Sequence, residues 1–178
     1  MTKHKPKIII VGAGLSGLTL ALSLAQSNFD IVVLEQASQL SEVGAGIQIS
    51  ANGARVLHLL GLESELAKVA FRPEQGEMRH WKTGETLISR PLGKTSVERF
   101  GFPYYHMHRY DFHRLLETAT RAAAPNAIRL QARVETIKQN DRGVSAVLTS
   151  GDVIEGDVLI GCDGIHSVVR ETLFGADD

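Results

Sequence analysis

Gly12, Gly14 and Gly17 form a G-x-G-x-x-G turn between the apolar run Ile8-Ile9-Ile10-Val11 and a helical pattern, and Glu35 ends the next apolar run. This spacing suits a dinucleotide. Gly12 allows a tight turn, Gly14 lets the backbone approach a pyrophosphate, and Gly17 lets helix and strand pack closely. The helix start then offers unpaired N–H groups and a partial positive charge to phosphate oxygens. Glu35, with Gln36 beside it, lies about 20 residues along the chain, where a carboxylate accepts hydrogen bonds from ribose hydroxyls.

Glycine turns also occur where nothing binds, so the elements around this one decide its meaning. Strand 7–11, helix 15–27 and strand 30–35 compose a βαβ unit. A second glycine-rich segment, Glu42–Ser50, follows where a simple nicotinamide-binding fold would continue with a crossover helix. The pattern predicts helices over 52–60 and 63–70, a hairpin over 76–90 turning at Lys82-Thr83-Gly84-Glu85, and a loop over 91–103. A strand over 104–108 leads into a helix over 111–123, which Pro125-Asn126 ends. Segments 128–139, 143–149 and 152–155 read as a small meander; strand 158–161, the turn Cys162-Asp163-Gly164 and a helix over 167–174 follow. The fold class is therefore α/β: a Rossmann-like fold with a parallel sheet, a βαβ start, an inserted β-hairpin and a small β-meander.

The 178 residues are long enough to bury a sizeable core, and a net charge of -1 with scattered basic residues disfavours nucleic acid as a partner. No apolar stretch approaches the roughly 20 residues of a membrane span, and the N-terminal residues lack a signal-peptide core, so no membrane association and a cytoplasmic location are expected. Cys162 is the single cysteine and sits in an apolar run, which reads as a small buried side chain and not as a catalytic thiol. His106, His108 and His113 cluster in sequence, but the first two share a strand face while the third belongs to a helix. No carboxylate or cysteine completes a metal site with them, so no metal is expected. Trp81 reads as a cover over one edge of the hairpin.

Three further segments carry a family resemblance: Gly44-Ala45-Gly46-Ile47-Gln48-Ile49, His108-Arg109-Tyr110-Asp111-Phe112-His113-Arg114-Leu115, and Asp157-Val158-Leu159-Ile160-Gly161-Cys162-Asp163-Gly164-Ile165-His166-Ser167-Val168-Val169-Arg170. In this order after the glycine turn, they resemble the class A flavoprotein aromatic hydroxylases, whose members include salicylate, 6-hydroxynicotinate and p-hydroxybenzoate hydroxylases. The last segment is the most specific. The resemblance implies FAD as cofactor, with the Gly12–Gly17 turn, Glu35 and Gln36 on its adenosine side. It places Ala45, Gly46 and Ile47 beside the flavin, Gln48 toward the substrate, Arg109 in contact with the flavin, and Asp163-Gly164 beside the cofactor. The residue chemistry is compatible: a bare glycine backbone can lie against a flat ring, and an arginine fork can pair with phosphate or ribityl oxygens. A surface loop, a solvated arginine paired with Asp111 and a plain strand-to-helix turn are the structural alternatives. His166 lies either near the cofactor or on the surface at a helix start.

The resemblance further implies that NAD(P)H reduces FAD and that one atom of O₂ passes to a phenol-like or heteroaromatic acid, the small aromatic substrate. Complete members of the family continue with a second flavin segment of Gly-Asp type and a sheet over the substrate. Residues 1–178 are accordingly expected to be one FAD-binding domain, the N-terminal part of a monooxygenase, with a C-terminal half missing or supplied by a partner chain. No residue within it is identified as catalytic. A non-catalytic nucleotide-binding remnant and an NAD-dependent dehydrogenase are the alternatives; the 44–50 loop and the 162–170 segment disfavour the dehydrogenase.

Overall fold

The computed structural model describes residues 5–40 and 44–175, so Glu42 and Val43 of the second glycine-rich segment lie outside the described residues. The chain divides into two compact units, one from residues 5–40 and 116–175 and the other from 44–115.

The first unit is built on a four-stranded parallel sheet. Strand β1 (Lys7–Val11), helix α1 (Leu15–Gln26) and strand β2 (Asp30–Leu34) form the βαβ start. β1 lies between β2 and β12 (Val158–Gly161), while β8 (Ile128–Arg129) extends the sheet beyond β2. Because alternate residues of a strand face opposite sides, Ile9 and Val11 point one way and Ile8 and Ile10 the other. On the first side, Ile9, Val11 and Leu34 pack against Ala132, Val134, Ala146, Leu148 and Val169. Four of those five partners come from the segment ending in β9 (Val134–Asn140) and from β10 (Gly143–Leu148), which with β11 (Val153–Gly156) make an antiparallel meander. Helix α6 (Val168–Phe174) supplies Val169. Leu18, Ala21 and Leu22 of α1 are buried, and the fully buried Thr120 donates its hydroxyl to the Leu18 carbonyl at 3.2 Å.

The predicted strand over 128–139 is two strands in different sheets. Residues 128–129 join the parallel sheet, Gln131 takes a positive φ of 53°, and the chain re-enters an antiparallel ladder at Val134. Register against β2, set by distant chain, wins here over local β-propensity.

The second unit contains β3 (Gly46–Ile49), α2 (Ala51–Leu59), α3 (Glu63–Val69), β4 (Ala70–Phe71), the hairpin β5 (Gln75–Arg79) and β6 (Thr86–Pro91), α4 (Gly93–Phe100) and β7 (Tyr105–His108). Helix α5 (Arg109–Ala123) starts in this unit, and its residues from Leu116 onward belong to the first. β7 is the centre of a three-stranded sheet, antiparallel to β3 on one edge and β4 on the other. Its inner face carries Tyr105, fully buried, whose hydroxyl meets His58 Nε2 at 2.8 Å and Arg72 Nη2 at 3.1 Å. The hairpin forms as predicted, with Trp81 at 89% exposure near its turn, so Trp81 covers no edge within this unit.

The loop expected over 91–103 contains helix α4. Pro91, Gly93, Gly101 and Pro103 obscure it in sequence, yet they stand at its ends and not inside it. Gly101 closes the helix in the left-handed conformation that favours glycine at this position, and Lys94 and Glu98 pair one turn apart at 3.4 Å. Likewise the expected glycine loop over 44–50 is mostly strand, because β7 supplies the ladder partners for Gly46–Ile49.

Candidate functional site

In the first unit the carboxyl ends of β1 and β12 and the start of α1 meet at one cavity. Parallel strands release their chains at this end, where ligands of open α/β sheets bind. Its volume is about 520 Å³, in the range of small-molecule clefts, and Gly12, Gly14, Glu35, Gln36, Asp163 and Gly164 are among the residues lining it.

Each glycine of the turn has a distinct environment. A Cβ at Gly12, where φ is +99°, would sit 2.5 Å from the Cys162 carbonyl oxygen, and one at Gly17 would sit 2.0 Å from the Gly12 oxygen. Those two positions are closed by protein. A Cβ at Gly14 would meet nothing within 4 Å, so there the bare backbone faces open space. Gly14 is also the N-cap of α1, with no side-chain cap and no acidic residue in the first turn. The uncapped N–H groups and the helix dipole are therefore available to an anion.

Glu35 is half-buried at the end of β2. Its Oε2 accepts from the Ala13 N–H at 2.8 Å and its Oε1 from the Ala37 N–H at 2.9 Å. The carboxylate thus tethers the glycine turn to the next loop. Both oxygens keep lone pairs that can accept further donors. Gln36 is exposed beside it.

Asp163 follows β12 in the cavity wall. Its Oδ1 accepts from the Ser167 hydroxyl at 2.6 Å and its Oδ2 from the Val169 N–H at 3.2 Å, while the Ser167 hydroxyl oxygen caps α6 by accepting from Arg170 N–H at 3.0 Å. The side chain of Asp163 therefore holds the strand-to-helix turn, and the exposed Gly164, with φ +80°, bends the backbone after it. Cys162 is half-buried at the same turn; desolvation pushes its thiol pKa up, and the neighbouring Asp163 charge adds to the rise. A raised pKa keeps the sulfur protonated near neutrality. Alkylation of the folded chain by iodoacetamide at about pH 8 is expected to be slower than that of free cysteine, and unfolding in guanidinium should remove the difference. A folded-state rate above that of free cysteine would contradict this environment.

Some lining residues have no local signature in the sequence. Ala132, Arg133 and Val134 border the cavity because Ala132 N–H donates to the Glu35 carbonyl at 2.8 Å and Gln131 N–H to that of Ala37 at 3.0 Å. That pairing lies about a hundred residues away along the chain, beyond any local pattern. Ile165 and His166 also line it, and both are exposed.

The second unit brings together the other sequence-predicted residues. Gly44 lies against the Arg109 side chain, where a Cβ would come within 3.1 Å of Arg109 Cδ, and the Arg109 N–H donates to the Ala45 carbonyl at 3.3 Å. Ala45, Gly46, Gln48 and Arg109 are exposed and Ile47 is half-buried. Gln48 Oε1 accepts from the Tyr104 hydroxyl at 2.8 Å. His106 and His108 both lie on β7, while His113 is buried on α5.

Among the described residues, no helix is long and apolar enough to cross a membrane. Residues 5–175 match the FAD binding domain family. The chain is 43% identical over 173 residues to 3-amino-4-hydroxybenzoate 2-monooxygenase of Streptomyces cremeus, covering 97% of this chain and 43% of that protein. It is 38% identical over 176 residues to 6-hydroxynicotinate 3-monooxygenase of Pseudomonas fluorescens, covering 98% of this chain and 44% of that protein. Among solved structures, 2-methyl-3-hydroxypyridine-5-carboxylic acid oxygenase superposes with a TM-score of 0.82 at 27% identity, over 96% of this chain and 42% of that one. Klebsiella pneumoniae HpxO complexed with FAD and uric acid gives a TM-score of 0.80 at 27% identity, over the same shares of 96% and 42%. The chain thus spans less than half the length of these relatives. Together with the glycine turn, Glu35 and the parallel sheet that carries them, these matches establish that the chain belongs to the FAD-binding domain family, as the N-terminal domain found in class A FAD-dependent aromatic hydroxylases.

Proposed function

We propose that this chain binds FAD and serves as the FAD-binding part of a monooxygenase that hydroxylates an aromatic or heteroaromatic acid. The observation carrying this reading is the open space at Gly14: a cavity of about 520 Å³ bounded by an uncapped helix N-terminus at one side and the Glu35 carboxylate at another. Those groups fit the adenosine diphosphate part of the cofactor. The α1 N–H groups would bind pyrophosphate oxygens, Glu35 would accept from ribose hydroxyls, and Gln36 would lie beside them. The backbone at Asp163-Gly164 would approach the cofactor while the Asp163 side chain keeps its structural bonds. Ala45, Gly46, Ile47 and Arg109 of the second unit would meet the flavin end, and Gln48 the substrate.

FAD, when bound, supplies the two-electron redox and oxygen chemistry; the chain's residues bind and orient it. NAD(P)H would be the electron donor. The enzyme activity belongs to a whole protein of the length of the relatives, and no residue of these 178 is assigned a proton-transfer or nucleophilic role.

The test is direct. The purified chain, incubated with FAD and passed through gel filtration, should elute with flavin absorption in the protein peak. Complete separation of flavin from protein, under conditions where the chain retains NADH, would overturn the reading. Arg109→Ala is expected to weaken FAD by about tenfold, and Arg109→Lys should not restore it, since a point charge cannot reproduce a planar fork. Unchanged FAD affinity in both variants would remove Arg109 from the cofactor contacts.

A further inference from the structure

Among the described residues, β5 pairs with β6 and with no other strand, so its second edge is open. Leu92 N–H donates to the Glu74 carbonyl at 2.9 Å, and antiparallel alternation from that pair turns the N–H and C=O groups of Gly76 and Met78 toward β6 and those of Gln75, Glu77 and Arg79 outward. On β6 the same alternation puts Pro91, which has no N–H, on the outer edge, and a proline there blunts further pairing. β5 has no such guard: its outward groups have no backbone partner among the described residues. The two faces of the hairpin also differ. On one, Gln75 Nε2 and Arg79 Nε donate to the Glu77 carboxylate at 3.0 and 2.8 Å. On the other, Met78 and Ile88 oppose each other across the ladder as an uncovered apolar pair, 59% and 41% exposed. A two-stranded ribbon of this kind is marginal by itself, whereas three or more strands give a stable sheet.

We infer that the outer edge of β5 is a self-association surface, pairing antiparallel with the β5 edge of a second copy of this chain and with Met78 on the two-fold axis. This surface is independent of the cofactor reading. Charge complementarity selects both the occupant and the register. Outward groups must meet outward groups, so Gln75, Glu77 and Arg79 pair only with one another. An axis at Glu77 opposes that carboxylate to the partner's Glu77, an axis at Arg79 opposes two guanidinium groups, and an axis at Gly76 opposes Glu77 to the partner's Gln75. Met78 as the axis opposes Glu77 to the partner's Arg79 and Arg79 to the partner's Glu77, which makes two opposite-charge pairs from one symmetric contact. Edge charges of a single sign would repel a second copy in every register; this pair repels in the wrong ones and attracts in one. Each Glu77–Arg79 pair then exchanges both backbone hydrogen bonds, and the two Met78 residues meet as a non-hydrogen-bonded pair, where side chains are closest. The product is a four-stranded antiparallel sheet of order β6-β5-β5-β6, with the Met78–Ile88 pairs of both copies side by side on one face.

The experiment is sedimentation velocity of the 178-residue chain over a concentration series reaching about 100 μM, a range that captures the weak association of a small interface. A monomer–dimer equilibrium is expected. Glu77→Arg and Arg79→Glu each set like charges opposite one another, and each should raise the dimer dissociation constant at least about tenfold. An equimolar mixture of these two variants should dimerise, because each offers the charge that the other lacks, and the double variant Glu77→Arg/Arg79→Glu should return toward the parent. Circular dichroism checks that these exposed substitutions leave the fold intact. Met78→Cys tests the register: mild oxidation should link two copies through position 78, since Cα atoms of a non-hydrogen-bonded pair lie about 4.5 Å apart, while the parent chain, with Cys162 alone, should stay unlinked. A parent chain that is monomeric throughout the series overturns the inference and leaves the edge to a strand of another chain. A dimer that survives both single charge reversals overturns it as well, by placing the contact on another surface.

Discussion

Gly17→Ala is expected to destabilise the nucleotide-binding unit without removing any direct ligand contact. The added Cβ would lie 2.0 Å from the Gly12 carbonyl oxygen and 3.4 Å from Cys162 Cβ, and the first of those atoms is backbone that cannot rotate away. Overpacking in a closed core costs about 1–3 kcal/mol, and a backbone collision belongs at or above the top of that range. For a chain of this size that corresponds to a loss of roughly 6–12 °C in thermal midpoint, measured by circular dichroism. Gly14→Ala is the informative partner. Its φ of -71° suits any residue and its Cβ would meet no protein atom within 4 Å, so stability should change by no more than about 1 kcal/mol, the scale of an N-cap substitution. FAD affinity, by contrast, should fall at least about tenfold, since the methyl group occupies the space that backbone and pyrophosphate would share. Equal stability losses in the two variants would contradict the distinction between a packing glycine and a binding one.

Glu35→Ala carries the second large effect, divided between fold and ligand. It removes both the Ala13 and the Ala37 hydrogen bonds, at 2.8 and 2.9 Å, and with them the tether between the glycine turn and the loop after β2. Hydrogen bonds to a charged acceptor are worth about 1.5–3 kcal/mol, so the turn should loosen measurably. FAD affinity should fall by an amount on the order of 1–3 kcal/mol through the lost ribose contacts as well. FMN, which lacks that ribose, should barely respond. Glu35→Gln, which keeps one oxygen acceptor, should fall between the parent chain and the alanine variant. Parallel losses of FAD and FMN in Glu35→Ala would place the effect in the fold alone.

These two positions also mark what the sequence discloses by itself. The glycine turn and Glu35 belong to one βαβ unit of short range, where spacing fixes both the turn conformation and the strand end that presents the carboxylate. The same holds for β12, whose apolar run and Asp163-Gly164 turn are contiguous. Elements defined by distant partners were not legible. β8 is two residues long and exists because Ile128 and Arg129 find Val33 and Leu34. β3 was masked by its glycines until β7 supplied a ladder, and α4 was masked by the prolines and glycines at its ends. In the candidate site, Arg133 arrives through that same long-range pairing with the 35–37 segment. Asp163 was legible as a residue of the turn, but its engagement by Ser167 and Val169 is a property of the folded α6 start.

We propose that the first unit's cavity takes the adenosine diphosphate part of FAD. Fluorescence titration of the chain with FAD, with FMN as comparison and NADH as competitor, separates this site from a nicotinamide site. Saturable quenching by one FAD per chain is expected, with clearly weaker binding of FMN because it lacks the adenosine half, and no displacement of FAD by equimolar NADH. Tight NADH binding with no response to FAD would contradict it.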